Sequence, residues 1–391
     1  MALAEADIAP PNRDRYTLDG DASVEARIAR DQELIAGAVQ TLLSPPEFRA
    51  LVLMGGYGRG EGGYVLCDGR PAPYNDYDYF VVVRNLDRTQ RKAFEQTLAE
   101  QARVLEHEVG VEVDFALLRE EMLASAEYSL MNAEMIWGHR VVAGDPDVLG
   151  TMPPMPFGRL PLGEFTRLLL NRGALLLMNQ RRLADDSSLS AEEQEVFFKY
   201  LFKAILACGD VRLAGNRSYH PSYVRKLERL RSIDWAGRDE FMDLYAQAWE
   251  NKFHPDYRRY AAENPASWQK KVIGIWLDTL LWFEQIRTGS AIADWLRYCS
   301  PSIPKGQSRS SWGGFRNSAI TVRDFGPAEL LRRPRWSFRY PRERLISALP
   351  SLLSTPFGAL RPAPAEALAL PAGTPWPRAA ETFLNLWRRY A

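Results

Sequence analysis

Residues 51–61 read Leu-Val-Leu-Met-Gly-Gly-Tyr-Gly-Arg-Gly-Glu, an apolar run that ends in a glycine-rich turn. A short apolar run that stops at a turn is typical of a buried β-strand. Because glycine has no Cβ, the backbone N–H groups of such a turn can come close to an anion. The stretch therefore predicts a strand over 50–54, followed by a turn suited to phosphate.

Two later apolar runs carry acidic residues. Residues 75–83 read Asn-Asp-Tyr-Asp-Tyr-Phe-Val-Val-Val, and residues 111–118 read Val-Glu-Val-Asp-Phe-Ala-Leu-Leu. Side chains alternate faces along a strand, so Asp76 and Asp78 are expected to share a face, with Asp114 arriving from another strand. Acids are poorly tolerated in buried strands unless they are paired or bind a metal, and Mg²⁺ prefers oxygen ligands. The pattern favours a divalent-metal site over the alternative, in which Asp76 and Asp78 cap a turn and a strand edge facing solvent.

The glycine turn and the three acids together resemble a known signature. Gly55-Gly56, Asp76-Tyr77-Asp78 and Asp114 are similar to the motif of the DNA polymerase β-type nucleotidyltransferase superfamily. The amino-acid sequence of the turn is most similar to that of bacterial members such as protein uridylyltransferases and aminoglycoside nucleotidyltransferases. The resemblance covers roughly residues 45–120 and implies that Asp76 and Asp78 bind Mg²⁺. It also implies that Asp114 binds metal or assists deprotonation of the acceptor.

The activity that the resemblance implies is transfer of a nucleoside monophosphate from a nucleoside triphosphate to a hydroxyl, with release of pyrophosphate. Two metal ions would stabilise the attacking and the leaving oxygens. Mg²⁺ is the expected cofactor, with Mn²⁺ as an alternative. The nucleotide contacts expected in the turn are Gly55, Gly56, Tyr57 and Arg59. Glu61 would either orient Arg59 or face solvent. The acceptor stays open between a small molecule, a protein and an RNA end, and the nucleotide preference stays open as well.

The chain departs from the family pattern in two places. Residues 57–75 separate the glycine pair from Asp76, a longer stretch than the family usually has. The extra part, 62–73, is expected to be a loop or hairpin over the site. Gly56 also stands where a phosphate-contacting serine is common.

The same glycines match two other motifs. Residues 58–65 fit the kinase glycine loop and the dinucleotide-binding pattern. A dinucleotide loop should open a helix, and the turn-rich residues 64–73 do not read as one. A kinase needs an H-R-D motif before Asp-Phe-Gly, and none precedes residues 324–326. Both interpretations are therefore disfavoured.

The order of the predicted elements indicates a mixed α/β (α+β) fold with a nucleotidyltransferase-type first domain followed by a mostly helical domain. Helices are expected over 23–43 and 88–109, and strands over 50–54, 77–83 and 111–118. The expected organisation is a flexible leader, the α/β domain, a helical domain and a basic, aromatic-rich C-terminal region that is either separate from the helical domain or part of it. The corresponding ranges are 1–22, 23–150, 151–300 and 301–391.

Three residues of the helical domain are candidates for nucleotide contacts. Lys199 and Lys203 lie one turn apart on a predicted helix and could meet the β- and γ-phosphates. Tyr219 could stack on a base or bond a phosphate. The alternative for each residue is an ordinary helical surface.

The segment 305–344 suggests a second class of function. It carries ten basic and three acidic residues, interleaved with aromatic ones. Such a surface could bind nucleic acid through phosphate contacts and stacking, with the transferase-like domain as a scaffold. A formal net charge of zero favours instead an ordinary surface on which arginine stems cover aromatic rings.

Composition limits the cellular setting. The three cysteines, Cys67, Cys208 and Cys299, are far apart and lack metal-ligand spacing. No signal-like segment and no apolar run of membrane-spanning length is present. A cytoplasmic protein that does not bind membranes is the expectation.

Overall fold

The chain forms two compact units. A computed structural model describes residues 8–44, 46–67, 69–184, 189–305 and 311–390. Unit 1 holds the described chain up to Leu160 together with His220–Glu228 and Trp249–Asp256, and unit 2 holds the remaining described residues. The mixed α+β class predicted from the sequence is confirmed. The break between the units falls at Leu160, ten residues beyond the boundary predicted at 150.

Unit 1 is built on a four-stranded mixed sheet. Its strands are β1 (Phe48–Leu53), β4 (Tyr77–Val83), β5 (Val113–Arg119) and β6 (Arg140–Gly144). They lie in the order β5-β4-β1-β6, with β4 and β5 parallel and the other two pairs antiparallel. The three strands predicted from apolar runs are therefore present, and the parallel pair is the one that carries the acids.

One face of this sheet is covered by two long helices. Helix α1 (Ala22–Thr41) and helix α3 (Arg88–Val109) pack their apolar stripes against side chains of β1 and β4. Helix α3 begins with a capping box at Asp87 and ends at Gly110 in the left-handed conformation, both of which local sequence specifies. The opposite face is left to the carboxylates and to shorter elements, namely α2 (Gly55–Gly58), α4 (Glu120–Leu123) and α5 (Leu130–Gly138).

The insertion between the glycine turn and β4 forms a hairpin of β2 (Tyr64–Cys67) and β3 (Arg70–Pro73). Strand β3 packs against α1, the helix that covers the face of the sheet away from the acids. A hairpin was one of the two predicted forms, but its predicted place over the site is wrong for β3. Asp68, within the insertion, lies outside the described residues.

The described part of the predicted leader is held in unit 1. The backbone N–H groups of Tyr16 and Thr17 donate to the Glu25 carboxylate of α1 at 2.6 and 2.9 Å. Thr17 is fully buried and bridges Gly62. This part of the predicted leader is therefore hydrogen-bonded to α1 through the half-buried Glu25 carboxylate. Residues 1–7 lie outside the description.

Unit 2 is helical over the part of it that the structure describes. Helix α7 begins with a capping box formed by Ser190 and Glu193. Helices α8 and α9 are shared between the units, because the start of α8 and the end of α9 belong to unit 1. The helices are α6 (Gly163–Ala184), α7 (Ala191–Gly215), α8 (Tyr223–Arg231), α9 (Arg238–Phe253), α10 (Pro265–Thr288), α11 (Trp295–Tyr298), α12 (Ser311–Phe325), α13 (Ala328–Arg332), α14 (Pro334–Ser337), α15 (Pro341–Ser354), α16 (Pro362–Ala367) and α17 (Trp376–Tyr390).

Several arginines of the basic segment 305–344 are used inside unit 2. Arg344 is 1% exposed, with its guanidinium 4.0 Å from the centre of the Phe325 ring and a 2.6 Å bond to the Ala367 carbonyl. Arg333 pairs with Glu329 in the same unit. These cations stabilise packing and are not presented to a polyanion. Residues 306–310 of the segment lie outside the description.

Within the described residues, no helix combines the length and the apolar composition that crossing a bilayer requires.

Candidate metal centre

The register of β4 and β5 brings the three predicted acids together. Asp78 and Asp114 are direct partners across the parallel pair, and Asp76 lies two residues before Asp78 on the same face. One carboxylate oxygen from each residue lies within 4.8 Å of the other two. Mg²⁺ holds its ligands at about 2.0–2.1 Å, and paired ions sit about 3.5–4 Å apart. The three carboxylates therefore fit a single cation or a bridged pair.

The opposite face of β4 explains why the acids point outward. Tyr77 and Tyr79 are buried, and their hydroxyls bond to Asp31 at 2.8 Å and to Gln32 at 2.5 Å, both on α1. A slip of one residue would turn these tyrosines out and drive the acids into the core. The hydrogen bonds of Tyr77 and Tyr79 to α1 thus fix which residues of β4 face the core and which face the other side of the sheet.

The carboxylates of the site repel one another. Burial raises the pKa of Asp114 above its usual range, and the nearby charges of Asp76 and Glu106 raise it further. Like charges at this distance disfavour the ionised state unless a cation lies between them. A divalent ion would relieve the repulsion.

The glycine turn lies directly against the acids. Gly55 has a φ of +65°, and a Cβ there would lie 2.9 Å from Asp78 Oδ2. The Met54 N–H donates to the Asp78 carbonyl at 2.8 Å, so the turn and β4 are joined by a backbone bond. Glycine at position 55 is required both by the backbone conformation and by the approach of the carboxylate.

Gly56 is also required by packing. A Cβ at this position would lie 2.9 Å from the Glu61 carbonyl oxygen, which is fixed backbone. The serine common in the resembling family therefore does not fit here without a shift of the turn. This accounts for the departure noted in the sequence.

Tyr57 does not lie in the site. It is 1% exposed, and its ring packs 5.0 Å from that of Tyr77, on the face away from the acids. Its hydroxyl donates to the Gly63 carbonyl at 2.7 Å and accepts from the N–H groups of Tyr74 and Asn75 at 3.0 and 3.2 Å. The Tyr57 side chain therefore holds the long insertion, and the predicted contact of this residue with nucleotide stays a prediction.

Arg59 and Glu61 form a buried pair beside the turn. The Arg59 Nε lies 3.5 Å from a Glu61 oxygen, and both side chains are about one-tenth exposed or less. Glu61 also accepts from the Ser222 hydroxyl and from the Tyr223 N–H, the latter at 3.0 Å. Glu61 thus orients Arg59 and anchors the start of α8, which settles the two alternatives left by the sequence.

Two lysines join Arg59 around one aromatic ring. The Nζ atoms of Lys226 and Lys252 lie 4.2 and 4.4 Å from the centre of the Tyr223 ring, and the Arg59 guanidinium carbon lies 5.5 Å from it. Lys226 is 1% exposed and lies 3.9 Å from a Glu134 oxygen. We call Arg59, Lys226 and Lys252 the cation cluster.

The cation cluster is electrostatically coupled to the acids. Burial lowers the pKa of Lys252 to about 8, with the charge of Arg59 as the next cause, while Asp76 acts in the opposite direction. Two of the three cations also lie beside carboxylates, Arg59 at 3.5 Å from Glu61 and Lys226 at 3.9 Å from Glu134. The sequence had no signal for this arrangement, because the two lysines lie far along the chain from the turn.

A cavity of about 450 Å³ opens beside the acids within unit 1. Its polar lining includes Asp78, Asp114, Arg59 and Glu134. Its apolar lining includes Met54, Phe80, Ala116 and Met131. The acids therefore stand at the edge of a chamber large enough for a small molecule.

The helical-domain candidates belong to unit 2, whereas the three carboxylates belong to unit 1. Lys199 and Lys203 are half-buried on α7. Tyr219 is 5% exposed, with its ring 5.1 Å from that of Phe165 in an edge contact. Their predicted nucleotide contacts stay predictions, and the packing of Tyr219 accounts for its aromatic side chain without a base.

Comparison of the chain with protein-family models, with curated proteins and with solved structures found no significant match.

Proposed function

We propose that the protein is a divalent-metal-dependent nucleotidyltransferase, as the resemblance of the sequence implies. The observation that carries the proposal is the convergence of Asp76, Asp78 and Asp114 beside a glycine turn, with Arg59 of the cation cluster lining the same cavity as Asp78 and Asp114. Acids alone would suggest a solvated strand end. Acids next to buried cations match a ligand that carries both a metal and phosphates.

Asp76 and Asp78 would hold Mg²⁺, with Asp114 as a further ligand or as the group that accepts a proton from the acceptor hydroxyl. Mg²⁺, when bound, supplies charge neutralisation at the reacting phosphate and at the departing pyrophosphate. The acceptor oxygen forms a bond to the α-phosphorus while the bond from that phosphorus to the β-bridging oxygen breaks. Pyrophosphate leaves with the bonding electrons, and the hydroxyl proton passes to Asp114 and then to water.

The cation cluster would bind the β- and γ-phosphates. Arg59 is held in place by Glu61, and Lys226 and Lys252 are held against Tyr223. Charged donors fixed before the ligand arrives bind phosphate without the cost of ordering flexible side chains.

We place this activity in the cytoplasm, because nucleoside triphosphates and Mg²⁺ are its inputs and the three cysteines are free thiols.

A thermal-shift screen of the four ribonucleoside triphosphates with Mg²⁺ tests the proposal. A ligand that binds only the folded state stabilises it by about 2.7 kcal/mol at a hundredfold excess over Kd. We expect one or more nucleotides to raise the melting temperature with Mg²⁺ present and much less with EDTA.

The matched variants for that screen are two lysine-to-methionine changes. Lys252→Met removes one phosphate donor and is expected to weaken nucleotide affinity about tenfold, roughly the loss of one charged hydrogen bond. Lys92→Met, at an exposed position of α3, is expected to leave affinity unchanged. Absence of any Mg²⁺-dependent shift in the wild-type protein would reject the proposal.

A further inference from the structure

The segment that leaves the glycine turn contacts both pieces of chain that carry the lysines of the cation cluster. We call residues 61–63 the exit segment. The Glu61 carboxylate accepts from the Ser222 hydroxyl and, at 3.0 Å, from the Tyr223 N–H, and all three residues belong to unit 1. One end of the exit segment therefore holds the start of α8, the helix that carries Lys226.

The other end of the exit segment lies against the end of α9. A Cβ at Gly63 would lie 2.6 Å from the Lys252 carbonyl oxygen and 3.0 Å from the Phe253 carbonyl oxygen, which also belong to unit 1. Both atoms are backbone, so the two segments come this close only because position 63 is glycine. The exit segment thus fixes the position of the backbone that carries Lys252.

A single hydroxyl joins the exit segment to the strand of the metal ligands. The Tyr57 hydroxyl donates to the Gly63 carbonyl at 2.7 Å. It accepts from the N–H groups of Tyr74 and Asn75 at 3.0 and 3.2 Å, so its one donor and two acceptor sites are all used. Asn75 immediately precedes Asp76, and its side-chain oxygen accepts from the Gly63 N–H at 2.8 Å. The hydroxyl therefore connects Gly63 to the backbone next to a metal ligand.

The two segments that meet at Tyr57 carry groups that one ligand must reach together. Asp76 would hold the metal, and Lys252 would hold a phosphate of the same triphosphate. A ligand that bridges two groups binds tightly when their spacing matches it, and groups that are already fixed lose little conformational entropy on binding. Triphosphate affinity therefore depends on the spacing between Asp76 and Lys252.

We propose that Tyr57 is a positioning residue whose hydroxyl sets the spacing between Asp76 and Lys252. It does so by holding the Gly63 carbonyl against the Asn75 N–H. This inference rests on the proposed function and adds to it a residue that acts on the substrate through other residues. It also gives the insertion after the glycine turn a function, because the hydroxyl joins the two ends of that insertion.

A double-mutant cycle with Lys252→Met tests this role. Tyr57→Phe keeps the buried ring and removes only the hydroxyl, and we expect it to raise the Kd of the preferred triphosphate with Mg²⁺ about tenfold. Because the hydroxyl acts through Lys252, its loss matters less once the ammonium group is gone. In the Lys252→Met protein, Tyr57→Phe is therefore expected to raise that Kd no more than about threefold. Calorimetric titration below the melting temperatures of the four proteins measures the constants.

Tyr77→Phe is the matched control. Tyr77 is as buried as Tyr57, and its hydroxyl bonds to Asp31 on α1 at 2.8 Å. Each change removes one buried hydroxyl, so both are expected to lower the melting temperature. We expect Tyr77→Phe to change the Kd of the triphosphate less than about twofold, with or without Lys252→Met, because its hydroxyl does not contact the exit segment.

A second variant decides the question where Tyr57→Phe does not fold. Asn75→Ala removes the acceptor of the Gly63 N–H at a half-buried position and leaves the tyrosine intact. We expect it to raise the Kd about fivefold in the wild-type background and less than about twofold in the Lys252→Met background.

The outcomes separate the two proposals. Equal Kd factors with and without Lys252→Met, for Tyr57→Phe or for Asn75→Ala in its place, overturn the positioning role. Equal losses of affinity in Tyr57→Phe and Tyr77→Phe overturn it as well. The nucleotidyltransferase proposal stands in those cases, because the wild-type protein still binds the triphosphate. Absence of Mg²⁺-dependent binding by the wild-type protein removes both.

Discussion

The double change Asp76→Asn plus Asp78→Asn is expected to lower Mg²⁺-dependent pyrophosphate release by more than about a thousandfold, or ~4 kcal/mol of barrier. Asparagine keeps the shape of each side chain and removes the negative charge that holds a divalent cation. The two acids lie on the face of β4 away from the apolar core. Pyrophosphate formed from the preferred triphosphate and acceptor is the measured quantity.

The stability of that double variant separates chemistry from folding. Removing two like charges relieves repulsion around Asp114, so the metal-free variant is expected to melt at the wild-type temperature or slightly above it. The control is Glu95→Gln plus Glu100→Gln, two exposed acids of α3, which is expected to release pyrophosphate at the wild-type rate. Release by the Asp76 and Asp78 variant at the same rate as this control would refute the assigned mechanism.

The change Gly58→Ala is expected to lower the free energy of unfolding by more than about 2 kcal/mol and to abolish activity. A Cβ at this position would lie 2.6 Å from the Leu53 carbonyl oxygen and 2.8 Å from the Gly138 carbonyl oxygen. Both atoms belong to fixed backbone, one at the end of β1 and one at the end of α5. The added methyl must therefore separate the glycine turn from the helix that carries Met131 and Glu134.

Gly37→Ala is the matched control for that change. Gly37 lies in the exposed middle of α1, and a Cβ there meets nothing within 4 Å. Alanine is a better helix former than glycine, so this variant is expected to gain about 0.5–1 kcal/mol. Denaturant unfolding of both variants measures the difference. A Gly58→Ala protein as stable and active as the Gly37→Ala protein would show that the turn is not held as the structure describes.

The carboxylate centre could be predicted from the sequence because the patterns that indicate it are local. Period-two alternation places Asp76 and Asp78 on one face, and the buried partners Tyr77 and Tyr79 fix that alternation to the core. The place of Asp114 in the site could be predicted because a helix connects β4 to β5, and such a crossover makes the two strands parallel neighbours. Local pattern and tertiary structure agree here.

The rest of the site depends on contacts that no local pattern encodes. Lys226 and Lys252 reach Tyr223 from helices α8 and α9, far along the chain from Arg59. The buried position of the Tyr57 side chain was not predicted, because a tyrosine in a glycine turn can point to either face. The contact of β3 with α1 was not predicted, because strand pattern does not say which helix a hairpin packs against.

Metal titration of the wild-type protein and of the Asp76→Asn plus Asp78→Asn variant tests the central claim most directly. The signal of free Mn²⁺ in electron paramagnetic resonance falls as the ion binds, and Mg²⁺ added afterwards should release it. We expect the wild-type protein to bind about one to two Mn²⁺ ions per chain with the preferred triphosphate present, and the variant to lose this binding. Equal Mn²⁺ binding by the two proteins, or none by the wild type, would contradict the claim that these carboxylates form a metal centre.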